Sequence, residues 1–306
     1  MLSDLLEDVR FRGRLYCRVE AREPWRLFAA PSRMATFHGV LRGRAVLQLD
    51  SEAREVELAA GDLVVIAHGA GHAIGDASST PATSIEVALE AAGATRVVRA
   101  GPGKGRSSEL ICGAFFSDAR EVPPLFSFLP AVLHVSASAE TRAVPALLEV
   151  LASEAERGDG ADASVARLTE ALFVHAMRAW TQRRDPASTT WIAAMRDPQI
   201  GAALRAIHRR PQDEWTVSTL AHAVGLSRSG FAARFLAIVG ETPVAYLTRW
   251  RIYLACRALR ETQRAIAEIA GLVGYQTEAS LNKAFKRVTG VPPGSYRRAA
   301  RGSLRA

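Results

Sequence analysis

The sequence predicts a multidomain α+β protein: a β-rich first part, a helical pair, and an all-α last part. Three observations predict this. Apolar and polar residues alternate in short runs as far as residue 135, the period of strands with one buried face. After Pro145 apolar residues recur every three or four positions, the period of helices. The charge is also split. Residues 191–306 hold 18 Lys and Arg against 7 Asp and Glu, and the first 190 hold 21 against 24. A net of +11 in the last third beside −3 in the rest points to a polyanion-binding module joined to a neutral one.

The 306 residues are enough for two domains with a sizeable core. With 48% apolar and 23% charged residues the chain is neither disordered nor fibrous. No run approaches the roughly 18 apolar residues of a membrane span, so no membrane partner is expected. The stretch MLSDLLEDVRFRGRLYCR lacks the residue order of a secretory signal. Cys17, Cys112 and Cys256 are scattered, with no CxxC, which excludes a disulfide framework and fits a reducing, cytoplasmic setting.

Taken in order, LYCRVEA, RAVLQLD, REVELAAGDLVVIA, TSIEVALE and ELICGAFF read as strands. Turn residues separate them: Gly43, Gly61, Gly69 to Gly71, and the GPGKGRSS segment. In AVPALLEVLASEAER the residues Val144, Leu147, Leu148, Leu151 and Ala155 make one helical stripe. GDGAD reads as a turn, and Ser164 as the N-cap of SVARLTEALFVHAMRAW. There Val165, Leu168, Leu172, His175 and Ala179 form a seam suited to another helix. TQRRDPASTT is polar and carries a proline, as a linker does. The expected domains are 1–140, a helical pair at 141–184, a linker at 185–190, and 191–306.

The last domain contains an internal repeat. TLAHAVGLSRSGFAARF and EIAGLVGYQTEASLNKAF share an outline of helix, glycine turn and helix. Leu220 and Ile269, Ala221 and Ala270, Val224 and Val273, Gly225 and Gly274 correspond. The long striped segment TPVAYLTRWRIYLACRALRE joins them. A helix–turn–helix needs a packed first helix, a tight turn and a second helix that enters the major groove. Gly225 and Gly274 permit the turn, Ser227 and Thr277 can cap the second helices, and Phe231, Phe235, Leu281 and Phe285 face inward. Arg228, Ser229, Ala232 and Ala233 are left outside in the first unit, and Glu278, Ala279, Asn282 and Lys283 in the second.

These residues resemble the AraC family of bacterial transcription regulators over about residues 195–300. Gly274-Tyr275, Phe285-Lys286-Arg287, Gly290, Pro293 and Tyr296-Arg297 match its end signature. The resemblance implies two recognition helices in successive major grooves of a double-stranded DNA operator, a homodimer, and work with RNA polymerase. Many relatives carry Arg or Gln where this chain has Ala232 and Ala233. Alanine can touch a thymine methyl but cannot hydrogen-bond a base edge, which gives Arg228 and Ser229 more of the first reading. Asn282 suits adenine, and Lys283 suits guanine or a phosphate. Arg297 and Arg298 are expected on phosphates, and Lys286 is a further expected DNA contact. Arg234 can pack over the surface, reach a phosphate or stay solvated.

The stretch GDLVVIAHGAGHAIGD, from Gly61 to Asp76, is similar to the second motif of the cupin family. Ala67 stands for its proline, Asp76 for its asparagine, and His72 falls where cupins place a metal-ligating histidine. The first cupin motif is largely missing: its His-x-His pair has no counterpart, Thr36 stands at its glutamate, and His38 shares that strand face. His38, His72 and Cys112 are therefore the candidate residues of an effector pocket. They are also a candidate zinc set, with two imidazoles and a thiolate, although nothing in their spacing brings the three together. His38 and His72 can equally be satisfied core histidines. His68 is expected exposed, and His134 and His175 are expected to pack. PLFSFLPAVLHV and WRIYLA resemble the AraC branch that carries such a barrel. A helical pair at 143–182 then serves as a dimer seam or packs on its own barrel.

The fold expected is thus a cupin-like β-barrel, a helical pair, and an all-α domain with two helix–turn–helix motifs. The function expected is a DNA-binding transcription regulator whose barrel senses a small-molecule effector, with no catalytic role and no certain cofactor beyond a possible Zn. GxSxG, P-loop and dinucleotide motifs are absent. The alternatives are a metal-dependent cupin enzyme fused to a DNA-binding domain, and a constitutive DNA binder.

Overall fold

The computed structural model describes residues 12–32, 34–51, 54–116, 129–155, 161–182, 194 and 197–302. The described residues fall into two compact units, one within 12–182 and one within 194–302. The linker expected at 185–190, and the PLFSF part of the 124–135 stretch, lie outside the described residues.

Two sheets build the first unit. β1 (Arg12–Arg22), β3 (Ala35–Arg42), β6 (Leu63–Ile66), β9 (Val97–Ala100), β10 (Ser107–Phe116) and β11 (Val132–Val135) form one, in the order β11-β6-β3-β10-β1-β9. β2 (Arg26–Ala29), β4 (Arg44–Leu49), β5 (Glu55–Ala59), β7 (His72–Gly75) and β8 (Thr83–Ser84) form the other, in the order β5-β4-β7-β2-β8. Their facing sides contribute one aliphatic core, with Val19, Val40, Val64, Leu110 and Cys112 from the first sheet and Leu27, Leu47, Leu58 and Ile74 from the second. The alternation read from the sequence is the burial of these sides. No described helix is long and apolar enough to cross a membrane.

A bulge in β1 decides which side its residues take. Leu15 lies opposite Gly113, whereas Cys17 lies opposite Cys112. The extra residue turns the strand over. Gly13 and Leu15 then face outward, where Thr169 sits so close that a Cβ on Gly13 would meet it at 2.2 Å. Cys17, Val19 and Ala21 face the core.

TSIEVALE is not a strand beyond its first two residues. Ile85–Ala92 is a helix, α1. The Ser84 side chain accepts from the backbone N–H groups of Glu86 and Val87, and Ile85, Ala88, Leu89 and Ala92 pack against the core. The cap and this three-and-four spacing outweigh the apparent alternation.

The helical pair is α2 (Ala143–Ala155) and α3 (Ala161–Gln182). α3 begins at Ala161, so Ser164 lies inside it rather than capping it, and Ala161 and Asp162 are helical rather than part of a turn. Thr181 and Gln182 end α3 rather than starting a linker. Its buried face holds Val165, Thr169, Leu172, Phe173, Ala176, Met177 and Trp180, with Leu168, His175 and Ala179 only half-buried at its edges. This face is broader than the expected seam because it covers a sheet as well as a helix. Phe173 packs on Phe115, whose ring stacks on Phe37 at 4.8 Å. Leu148 of α2 lies over Gly39. The pair packs on its own sheet.

The second unit is all helical: α4 (Pro198–Arg209), α5 (Val217–Ala223), α6 (Arg228–Val239), α7 (Pro243–Glu261), α8 (Ile266–Leu272), α9 (Glu278–Thr289) and α10 (Pro293–Gly302). Cys256, Leu259, Ile269, Leu281, Phe285 and Tyr296 share one core there. A second aromatic cluster lies around the first half of α7, with His208 stacked on Trp250 at 4.2 Å and Phe231 tilted against Phe235 at 5.6 Å.

Candidate nucleic-acid interface and buried thiol–imidazole cluster

Two helix–turn–helix units face solvent, α5–α6 and α8–α9. Both turns need left-handed glycine, Gly225 at φ 69° and Gly274 at φ 89°. Ser227 caps α6 by accepting from the Gly230 N–H. Thr277 caps α9, with Ser280 closing a reciprocal box. Gly240 and Gly290 end the two helices in the left-handed conformation. Phe231, Phe235, Leu281 and Phe285 are buried beneath.

The expected readers are where a duplex can meet them. Arg228, Ser229 and Ala233 are exposed on α6, with Ala232 half-buried. Val217, Arg228, Ser229 and Ala232 line one shallow cleft. Glu278, Ala279, Lys283 and Lys286 are exposed on α9, with Asn282 half-buried. Arg298 is exposed, while Arg297 is half-buried and donates to the Arg264 carbonyl at 2.6 Å. Arg297 therefore also holds α10 against the start of α8.

Each unit is held by its own device, and neither was read from the sequence. Asp197 caps α4, accepting from the Gln199 and Ile200 N–H groups at 3.0 and 2.9 Å. It also takes Nε and Nη2 of Arg234 at 2.9 and 2.6 Å. Burial works to raise the Asp197 carboxyl, but the Ile200 N–H, Arg234 and the Gln199 N–H outweigh it and hold it below its usual range. Gln199 Nε2 donates to the Val224 carbonyl at 3.2 Å. Arg234 is thus an anchor between α4 and α6. The second unit leans on Arg251, which donates to the Pro211 and Asp213 carbonyls at 2.8 and 2.7 Å, and on Gln276, bonded to Glu214 at 2.9 Å.

Between the sheets the fold assembles what the spacing left apart. Cys17, Cys112 and His38 lie side by side on β1, β10 and β3. His72 reaches them from β7 of the facing sheet. His38 Nδ1 meets Cys112 Sγ at 3.1 Å, and His38 Nε2 meets His72 Nε2 at 2.8 Å. His72 Nδ1 meets the Ala70 carbonyl at 2.9 Å. A carbonyl only accepts, so the row has one direction. His72 Nδ1–H donates to Ala70, His38 Nε2–H to His72, and the Cys112 thiol to His38. Cys17, the register partner of Cys112 on β1, lies beside its thiol.

His38, His72 and Cys112 are held neutral. Burial, then His72, holds His38 well below its ordinary pKa. Burial likewise lowers His72, against the Ala70 carbonyl and Asp50. The neighbouring Cys17 thiol, then burial, raises the Cys112 thiol. Cys17, missed in the sequence, enters because the β1 bulge turns it inward. A catalytic or structural zinc needs at least three donors at one point. His38 stands between Cys112 and His72 and turns one nitrogen to each. Among the described residues no group of three or more such side chains is placed to close on an ion. As they stand, these residues do not fit zinc.

The remaining polar residues of the motif are structural. Asp76 accepts from the Trp25 N–H and the Thr80 hydroxyl at 2.8 and 3.0 Å. Asp62 accepts from the Ala59 and Ala137 N–H groups and pairs with His134 at 2.9 Å. His68 is exposed and His175 is half-buried. Thr36 Oγ1 and Trp25 Nε1 are among the buried polar atoms of the described residues that have no hydrogen-bond partner.

Known proteins agree with both halves. A family model described as Cupin matches residues 1–182, and one described as Helix-turn-helix domain matches residues 220–299. A protein named as an AraC-like transcription regulator of Streptomyces lividans is 37% identical over 303 residues, 97% of this chain and 97% of that one. One of the same description from Streptomyces antibioticus is 35% identical over 304 residues, 97% of this chain and 98% of that one. The transcriptional regulator AlkR of Acinetobacter baylyi is 29% identical over 304 residues, with 97% and 98% covered.

Proposed function

This chain belongs to the AraC-like family of DNA-binding transcription regulators with a cupin N-terminal domain, and we propose that it senses a small effector between its two sheets and passes the result to its helix–turn–helix units. Its relatives carry the names of regulators rather than enzymes. The observation that carries the sensing is the row Cys112–His38–His72, sealed in an otherwise aliphatic core. Packing alone has no use for it: aliphatic side chains would fill the space without needing partners. Thr36 Oγ1, on the same face of β3 as His38, adds a hydroxyl that a polar ligand would satisfy. A ligand that takes one of His38's two partners breaks the row and biases the unit between two arrangements, which effector control requires.

On the DNA side, Arg228, Ser229 and Asn282 read bases and Lys283 meets a guanine or a phosphate, with Ala232, Ala233, Glu278 and Ala279 shaping the contact. Lys286, Arg297 and Arg298 meet phosphates. The regulator works in the cytoplasm as a homodimer that engages RNA polymerase.

The sensing is tested by thermal unfolding and DNA binding of the full chain against a panel of small organic acids and Zn²⁺. A true effector at 100 times its Kd adds about 2.7 kcal/mol to stability. It also changes DNA affinity in the wild type and loses both effects in His72→Ala. Zinc is the rival occupant, and it requires His38 to release a partner. Stoichiometric zinc in the purified wild type, absent from His72→Ala, would replace the organic effector with the metal. A panel that moves stability without His72 mattering would remove the row from the sensing site.

A further inference from the structure

The two recognition helices occupy equivalent places and carry opposite chemistry. Both span 12 residues, both start on a hydroxyl cap and both end on left-handed glycine. Position by position, Arg228 corresponds to Glu278, Ala233 to Lys283, Leu236 to Lys286 and Ala237 to Arg287. Just beyond, Val244 and Ala245 correspond to Gly294 and Ser295, and Leu247 and Thr248 to Arg297 and Arg298. The second half of α9 therefore carries two adjacent cations in water, beside an exposed Val288. The second half of α6 is apolar, with Leu236 46% exposed and Val244 51% exposed beside it. The other cation of α6, Arg234, is bound to Asp197.

We infer that the two units divide the work on DNA: the α9 unit carries the phosphate neutralisation, and the α6 unit grips by apolar contact. An exposed leucine where its twin has a lysine releases no counterion. It gains instead from area buried against sugars and thymine methyls. The affinity of the second unit falls with salt, because each neutralised phosphate adds about 0.9 to the slope of log K against log salt. That of the first unit barely changes. The inference rests on α6 and α9 being the helices that meet the duplex.

The experiment is a salt titration of the full chain on a random-sequence duplex, read by fluorescence anisotropy, with circular dichroism to confirm folding. Lys286→Ala with Arg287→Ala should flatten the slope by about 2, so a fourfold rise in salt costs the variant about tenfold less affinity than the wild type. Leu236→Lys with Ala237→Arg should steepen it by a similar amount. All four side chains are exposed, and Lys283→Gln offers a milder third variant with about half the effect. A slope unchanged in Lys286→Ala/Arg287→Ala overturns the division. If Leu236→Lys with Ala237→Arg also leaves the slope unchanged, the assignment of these helices to DNA falls with it. If that variant steepens the slope, only the division fails.

Discussion

The two units treat their polar side chains in opposite ways. Between the sheets, the Cys112 thiol and the His38 and His72 imidazoles are sealed in an apolar core, neutral, and bonded to one another. On the helical unit, cations stand in water on recognition helices, and those that bond inward, such as Arg234 and Arg251, serve as anchors. A buried neutral row is read only by something small enough to reach it, and salt does not screen it. An exposed ridge is felt about 8–10 Å away at physiological salt, and weakens as salt rises. Burial thus makes the row insensitive to salt, and exposure makes the ridge sensitive to it.

The sharpest way to break this contrast is at the turns that set the recognition helices. A Cβ on Gly274 would lie 2.5 Å from the Pro211 carbonyl and 2.6 Å from the Arg251 guanidinium, whereas one on Gly225 would meet nothing within 4 Å. Gly274→Ala should cost about 3 kcal/mol and abolish DNA binding, and Gly225→Ala only about 1 kcal/mol, the strain of the positive φ alone. Urea unfolding measures both. Equal losses would show that the Arg251 anchor does not grip the second turn.

Next comes the buried row. His72→Ala leaves the His38 Nε2–H without an acceptor, and should destabilise the first unit by about 1–3 kcal/mol. DNA affinity without effector should stay at the wild-type value. A melting temperature unmoved by the substitution would mean that the row is not closed.

Acid acts on both units through buried histidines. His38 and His72 are depressed by burial, and His208, bonded to Tyr246 at 2.6 Å, is lowered by burial to about 3. The unfolded chain takes up these protons near its ordinary value of about 6.5 while the folded chain refuses them. Stability is therefore complete above pH ~6.5 and falls as pH drops towards the folded values. His208 contributes a loss of roughly 1.4 kcal/mol per pH unit in that window. Unfolding at a series of pH values should show this slope, and His208→Gln should flatten it.

The smallest effect is expected at Asp197→Asn, which loosens Arg234. Arg234 is 45% exposed, so the loss should be about 0.5 kcal/mol or less. A larger loss of DNA binding than of stability would show that the anchor sets the angle of α6.

Most of the helical unit was legible because its signals are local. A glycine turn, a hydroxyl cap and a stripe of apolar residues each act within a few positions, and the repeat states them twice. TSIEVALE misled because eight residues can satisfy both periods, and Ser84 as a cap decided for the helix. Ser164 misled because a good cap residue can also sit inside a helix that starts earlier. The anchors Asp197–Arg234 and Arg251–Pro211 were illegible, since each joins residues some 40 positions apart.

The sequence by itself determined where the charge lies, which helices turn on which glycines, and that His38 and His72 are unusual residues in a β-rich domain. Only the tertiary structure decided that they meet Cys112, and that Cys17 joins them. Strand pairing sets neighbours by register, and one bulge in β1 reverses which side a residue takes. No local pattern records that reversal, so the row between the sheets exists only once both sheets have formed.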